Sequence, residues 1–148
     1  MPGLRRLKSI MCVATLPRTI LEQLLQTARD QPEKEVCGLI SARDGTVMRC
    51  YPVPNIHARP QLAFEMAPHR LIDAFRDMRE RREQLWGIYH SHPGGPTTPS
   101  ARDLDECGYP EALQLIITLH DDQPVHAWRF HKGKATPVSL EVVGSHGL

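Results

Sequence analysis

The sequence predicts one mixed α/β (α+β) domain over residues 1–148, a mostly central sheet covered by helices, and three observations predict it. Short apolar runs alternate along the chain with segments of helical periodicity. No linker, repeat or low-complexity stretch interrupts them. A chain of 148 residues is also long enough to bury roughly two thirds of its unfolded surface in a single core without disulfide staples.

The opening MPGLRRLKSIMCVATLP places basic residues before the apolar patch IMCVA. That patch is shorter than the ~7–15 residues of a signal-peptide core, so it reads as a first strand. In LPRTILEQLLQTARDQP, the residues Ile20, Leu21, Leu24, Leu25 and Ala28 recur at helical spacing, with Pro17 near the start and Pro32 beyond the end. VCGLISA and VMRCYPVPN flank RDGT and read as a hairpin on an Asp-Gly turn. A polar loop, NIHARPQ, follows, and LAFEM reads as a short strand. APHRLIDAFRDMRERREQ sets Leu71, Ile72, Phe75 and Met78 on one face of a second helix, with RERREQ at 79–84 as its solvated face. LWGIYHSH reads as a buried strand. A short helix starts at Ser100, and the strands LQLIITL, PVHAWRFH and TPVSLEVV follow, the last two around a KGK turn.

Composition excludes several classes of function. The fractions, 41% hydrophobic and 24% charged, are those of an ordinary soluble protein, and no run approaches the ~18–20 apolar residues of a membrane span. A net charge of +1 with scattered Arg and Lys argues against a nucleic-acid binder held by phosphate neutralisation. The four cysteines, Cys12, Cys37, Cys50 and Cys107, form no CxxC pair and read as buried thiols of a cytoplasmic protein.

Chemistry concentrates in YHSHPGGPTTPSARD, residues 89–103. Residues two apart on a strand point to one side, so His90 and His92 present both imidazoles to the same face. PGGPTTP cannot continue a strand and forces the chain to reverse. Ser100 then caps a returning helix whose first turn carries Asp103. Two histidines and a carboxylate are a three-ligand set of the catalytic zinc type, with a fourth position left for water. The same residues have plainer readings: two half-exposed histidines at a strand end, and a Ser-x-x-Asp capping box that competes with ligation for the Asp103 carboxylate. A zinc hydrolase also needs a proton acceptor. Glu35, where PEKE enters the apolar strand VCGLI, is a candidate among the 17 acidic residues, with Glu33 reading as solvated. Cys37, inside that strand, reads as a small buried residue and not as a nucleophile.

HSHPGGPTTPSARD, together with the upstream EVCGL, VPN around Asn55 and FEMAP, resembles the JAMM (MPN+) metalloprotease family from about Glu35 to Leu119. The resemblance implies a mixed curved sheet flanked by helices. It further implies zinc on His90, His92 and Asp103, Glu35 as general base and proton shuttle, and Ser100 as the hydroxyl steadying the oxyanion. By the same resemblance the substrate is a small ubiquitin-like or sulfur-carrier protein, cut after its C-terminal Gly-Gly. The chain lacks the long insertions after the motif that mark deubiquitinating members, which favours a sulfur-carrier partner. A broader peptidase acting on short peptides or phage-type proteins, and a catalytically silent scaffold, are the alternatives. The proline-stiffened HPGGPTTP turn is expected to wall a narrow channel that admits glycine.

Overall fold

The computed structural model describes residues 13–144. Cys12 and the start of the IMCVA patch lie outside them; the first strand, β1, runs Val13–Pro17. The other strands are β2 (Cys37–Arg43), β3 (Thr46–Val53), β4 (Gln84–Ser91), β5 (Leu113–Ile117), β6 (Val125–His131) and β7 (Lys134–Val143). Among the described residues three helices complete the order: α1 (Arg18–Asp30) follows β1, α2 (Pro68–Glu80) follows β3, and α3 (Ala101–Asp105) follows β4.

The strands form one mixed seven-stranded sheet in the order β1-β7-β6-β5-β4-β2-β3. The pairs β1/β7 and β4/β5 are parallel and the rest antiparallel. Each face buries a separate apolar cluster, as the two-residue period of strands requires. Helix α1 lays Ile20, Leu24 and Ala28 against Ile40, Tyr89, Leu115 and Ile117 on one face. Helix α2 lays Ala74 and Met78 against Leu39 and Ile88 on the other. Burial of an aliphatic side chain of this kind stabilises by about 1.5–3 kcal/mol. At Gly38 an added Cβ would collide with the Tyr89 ring and the Tyr51 carbonyl, so only glycine lets that tyrosine lie across β2. The Asp-Gly turn between β2 and β3 has both residues at positive φ, Asp44 at 50° and Gly45 at 80°, the form that matches strand twist.

Three expectations need correction. LAFEM is not a strand: residues 62–66 contribute only an isolated bridge between Met66 and Asn55. The Asn55 amide takes the place of a ladder partner. Its Nδ2 donates to the Ala63 carbonyl at 3.0 Å, and its Oδ1 accepts the Glu65 N–H at 2.9 Å. Ile72 is not on the buried face of α2, being 54% exposed; Leu71, Ala74, Phe75 and Met78 carry the packing instead. RERREQ is neither fully helical nor fully solvated. The helix ends at Glu80, Arg82 turns to a φ of 59°, and Glu83 is buried. The Glu83 carboxylate is drawn inward by Ser41 Oγ, Tyr51 Oη and Arg49 Nε, which donate to it at 2.8–2.9 Å. Among the described residues no helix is long and apolar enough to cross a membrane.

Candidate metal centre

Strand β4 sits between β2 and β5, with His90 opposite Cys37 on one side and Ile116 on the other. The pleat puts His90 on the face of Ile88 and α2, with His92 one step beyond the strand's end. The chain ahead of β2 arrives at the same place: Val36 N–H donates to Ser91 Oγ, and Ser91 N–H to the Val36 carbonyl, both at 2.9 Å. Glu35 is thereby fixed beside the two histidines. The returning turn is held at two points, where His92 Nδ1 donates to the Pro96 carbonyl at 2.7 Å and Trp128 Nε1 to that of Thr97 at 3.2 Å. Helix α3 then brings in Asp103.

The distances define a corner. His90 Nε2 and His92 Nε2 are 3.0 Å apart, and Asp103 Oδ2 stands 3.2 Å from the first and 3.1 Å from the second. A tetrahedral ion with ligand bonds of ~2.0–2.1 Å separates its ligand atoms by about 3.3 Å, so the three atoms already lie near the spacing of one tetrahedral face. The Glu35 carboxylate belongs to the same group, all four ligand atoms lying within 4.8 Å of one another. His92 must carry its proton on Nδ1, because a carbonyl can only accept, and this leaves the Nε2 lone pair facing the corner. His90 Nδ1 and Glu35 Oε1 are both buried without a hydrogen-bond partner. The His90 ring is instead held by the face of Phe64, stacked at a centroid distance of 4.6 Å. The donor set fits a metal ion.

Capping and ligation do not compete for Asp103. The box is present in full: Ser100 Oγ accepts from Asp103 N–H at 3.0 Å, and Ser100 N–H donates to Asp103 Oδ2 at 2.8 Å. The same Oδ2 faces the histidines, so the cap aims that oxygen into the corner.

Burial pushes the Glu35 carboxyl up to about 7, with the Asp103 charge adding to the rise and His92 opposing it. Burial would also raise Asp103, but in the metal-free chain the His90 and His92 imidazoles beside it, whenever they carry a proton toward Oδ2, hold it well below the usual carboxylate range. Burial lowers His90, so its neutral, ligating form is favoured. Cys37 is buried and its thiol is pushed up to about 12, first by burial and then by the Glu35 charge, which removes it as a nucleophile. Glu33 is exposed. All five residues singled out in the sequence therefore fall in one place, with Ser100 on its exposed rim. Phe64 and Asn55 as an anchor were missed. Neither obeys a ligand spacing, and the signal that did mark them was the family resemblance, through VPN around Asn55 and FEMAP beginning at Phe64, which assigned them no role.

A sheet with helices on both faces and a His-x-His…Asp corner at the end of a central strand is the arrangement of the JAMM class. The chain belongs to the family of prokaryotic homologs of the JAB domain, which it matches over residues 17–131. It is 28% identical to a desampylase of Haloferax volcanii over 83% of this chain and 90% of the relative. It is 37% identical to a probable TtuB-protein conjugate cleaving protease of Thermus thermophilus, over 64% of this chain and 63% of that one. Among solved structures, protein DSY2949 of Desulfitobacterium hafniense is 31% identical and superposes with a TM-score of 0.78, covering 90% of this chain and 94% of that one.

Proposed function

We propose that this protein is a zinc-dependent peptidase and isopeptidase that hydrolyses the bond after the C-terminal Gly-Gly of a small ubiquitin-like or sulfur-carrier protein. The observation that carries the reading is the corner of three ligand atoms 3.0–3.2 Å apart with an unpartnered carboxylate oxygen of Glu35 beside it. Relatives named as a desampylase and as a conjugate-cleaving protease support a protein conjugate as substrate.

His90, His92 and Asp103 would hold the zinc. Bound there, zinc supplies Lewis-acid polarisation of the scissile carbonyl and acidifies the attacking water. Glu35 takes a proton from that water as its oxygen bonds to the carbonyl carbon, and gives the proton to the departing amine as the C–N bond breaks. Burial raises the carboxyl to about 7 in the metal-free chain, and beside a divalent ion it would be drawn back toward the ionised form that accepts the proton. The Ser100 hydroxyl spends only a lone pair on the cap, so its proton remains to donate to the carbonyl oxygen as charge gathers there. Phe64 and the Nδ1–H of His92 keep the two imidazoles oriented. Glycines before the bond carry no side chain and pass close to the ligands.

The test is the intact mass of products from a ubiquitin-fold carrier whose tail continues a few residues past Gly-Gly. A single new terminus at the second glycine is expected, with cleavage lost when that glycine becomes valine. Cuts scattered along the tail, or tolerance of valine, would replace this reading with a broader peptidase.

A further inference from the structure

A cavity of about 410 Å³ opens directly beside the metal corner, with His90 and Asp103 in its wall. Its volume is that of a small-ligand site. The lining is mainly apolar: Phe64, Met66, Ile88, Tyr109 and Phe130 enclose it, with Leu71 and Cys107 further round. The walls are fixed in advance. Phe64 lies against the His90 ring, Tyr109 tilts onto Phe75 at 5.6 Å, and Gln114 Nε2 donates to the Tyr109 and Ala112 carbonyls at 3.2 and 3.1 Å. Arg102 and Glu106 at the rim pair with each other at 3.1 Å. With that pair offset, Glu65 and Asp103 remain in the lining, so the wall disfavours an acidic side chain. The residues 93–99 that were expected to wall a glycine channel do not line this space.

We propose that this cavity is the pocket for the leaving group, taking an apolar side chain on the residue that follows the scissile bond. The inference rests on the Gly-Gly reading. The two residues before the bond then have no side chain to offer, and the third lies about 7–10 Å back along an extended strand at ~3.3 Å per residue. A void that touches two metal ligands is filled from the other side of the bond. An aliphatic or aromatic side chain seated there loses water against Phe64, Met66, Ile88, Tyr109 and Phe130, whereas an aspartate would face the carboxylates of Glu65 and Asp103 in the same wall and a bare glycine gains nothing.

The probe is a ubiquitin-fold carrier with the tail Gly-Gly-X-Ser, where X is Leu, Phe, Gly or Asp, cleaved by the zinc-loaded protein and followed by mass. The kcat/KM for Leu and Phe is expected to exceed that for Gly and Asp by about 10-fold or more, the scale on which apolar pockets discriminate. Cys107→Trp, which fills the cavity from α3's far end, should collapse the Leu/Gly ratio to less than about 3-fold. Equal rates across X in the parent would overturn the pocket while leaving Gly-Gly cleavage intact. Absence of any cut after Gly-Gly, whatever X, would overturn the underlying reading and the pocket with it. Should Cys107→Trp not fold, Leu71→Trp repeats the filling from α2, and an unchanged ratio in a folded variant contradicts the proposal.

Discussion

Asp103 Oδ2 accepts the backbone N–H of Ser100 at 2.8 Å while standing 3.1 Å from His92 Nε2. A helix cap and a metal corner thus share one oxygen, and the sharing separates two variants. Asp103→Ala removes a ligand and should abolish metal retention after dialysis, because a three-ligand site cannot spare one. Ser100→Ala loses only the Oγ cap, about 1 kcal/mol, because the N–H that aims Oδ2 is backbone. It should keep its metal by elemental analysis while turnover falls ~100- to 1,000-fold. Metal loss in Ser100→Ala would mean that the hydroxyl, and not the backbone, positions the ligand.

Glu35→Gln preserves shape and cannot take a proton. Metal content should match the parent while turnover falls by ~100-fold or more. Stability should not drop, since the native carboxyl is buried with Oε1 unpartnered and the amide carries no charge to desolvate. The exposed Glu33 serves as control, and equal losses in both variants would move the base elsewhere.

Asn55 ties Glu35 to the Phe64 loop: its Nδ2 reaches the Glu35 carbonyl at 2.9 Å and the Ala63 carbonyl at 3.0 Å. Asn55→Ala leaves those groups short of a donor at a cost of about 1–3 kcal/mol. His90 stands on β4, His92 just beyond its end and Asp103 on α3, so metal held by these residues should remain bound while turnover drops. Denaturant midpoints and metal content together check this.

Glu83 supplies a pH dependence away from the site. Burial would raise its carboxyl, but hydrogen bonds from Ser41, Tyr51 and Arg49 outweigh it, and the group ends below its ordinary value. A depressed folded pKa contributes stability above the unfolded value and loses it as pH falls through the folded one. Glu83→Gln should therefore be less stable than the parent at pH 7. The gap should narrow as pH falls below the ordinary glutamate value of about 4.3, where the unfolded chain begins to take up the proton, and close once the folded carboxyl is protonated too. A gap that is constant from pH 7 to 3 in urea titrations would show that shape, not charge, is what Glu83 provides.

Much of this was legible before the structure. His90, His92 and Asp103 announced themselves because a strand's two-residue period and a cap's three-residue period are local rules. The Asp44-Gly45 hairpin was equally local. What escaped depended on partners far along the chain. Glu83 looked like one more charge in RERREQ until Ser41, Arg49 and Tyr51 came to it from β2 and β3. LAFEM has the composition of a strand, yet the Asn55 side chain takes the Ala63 carbonyl and the Glu65 N–H, and the backbone of Arg59 and Ile56 takes others. Ile72 has the right period for α2's apolar face but falls at its edge, and no local signal fixes where that edge lies.

The most direct test is activity against zinc content. Protein stripped with a chelator should cut no Gly-Gly-extended carrier, and returning zinc should restore cleavage in proportion to the ion bound, saturating at about one per chain. His90→Ala should neither bind the ion nor recover. Full cleavage by the stripped protein, or by His90→Ala, would contradict the account.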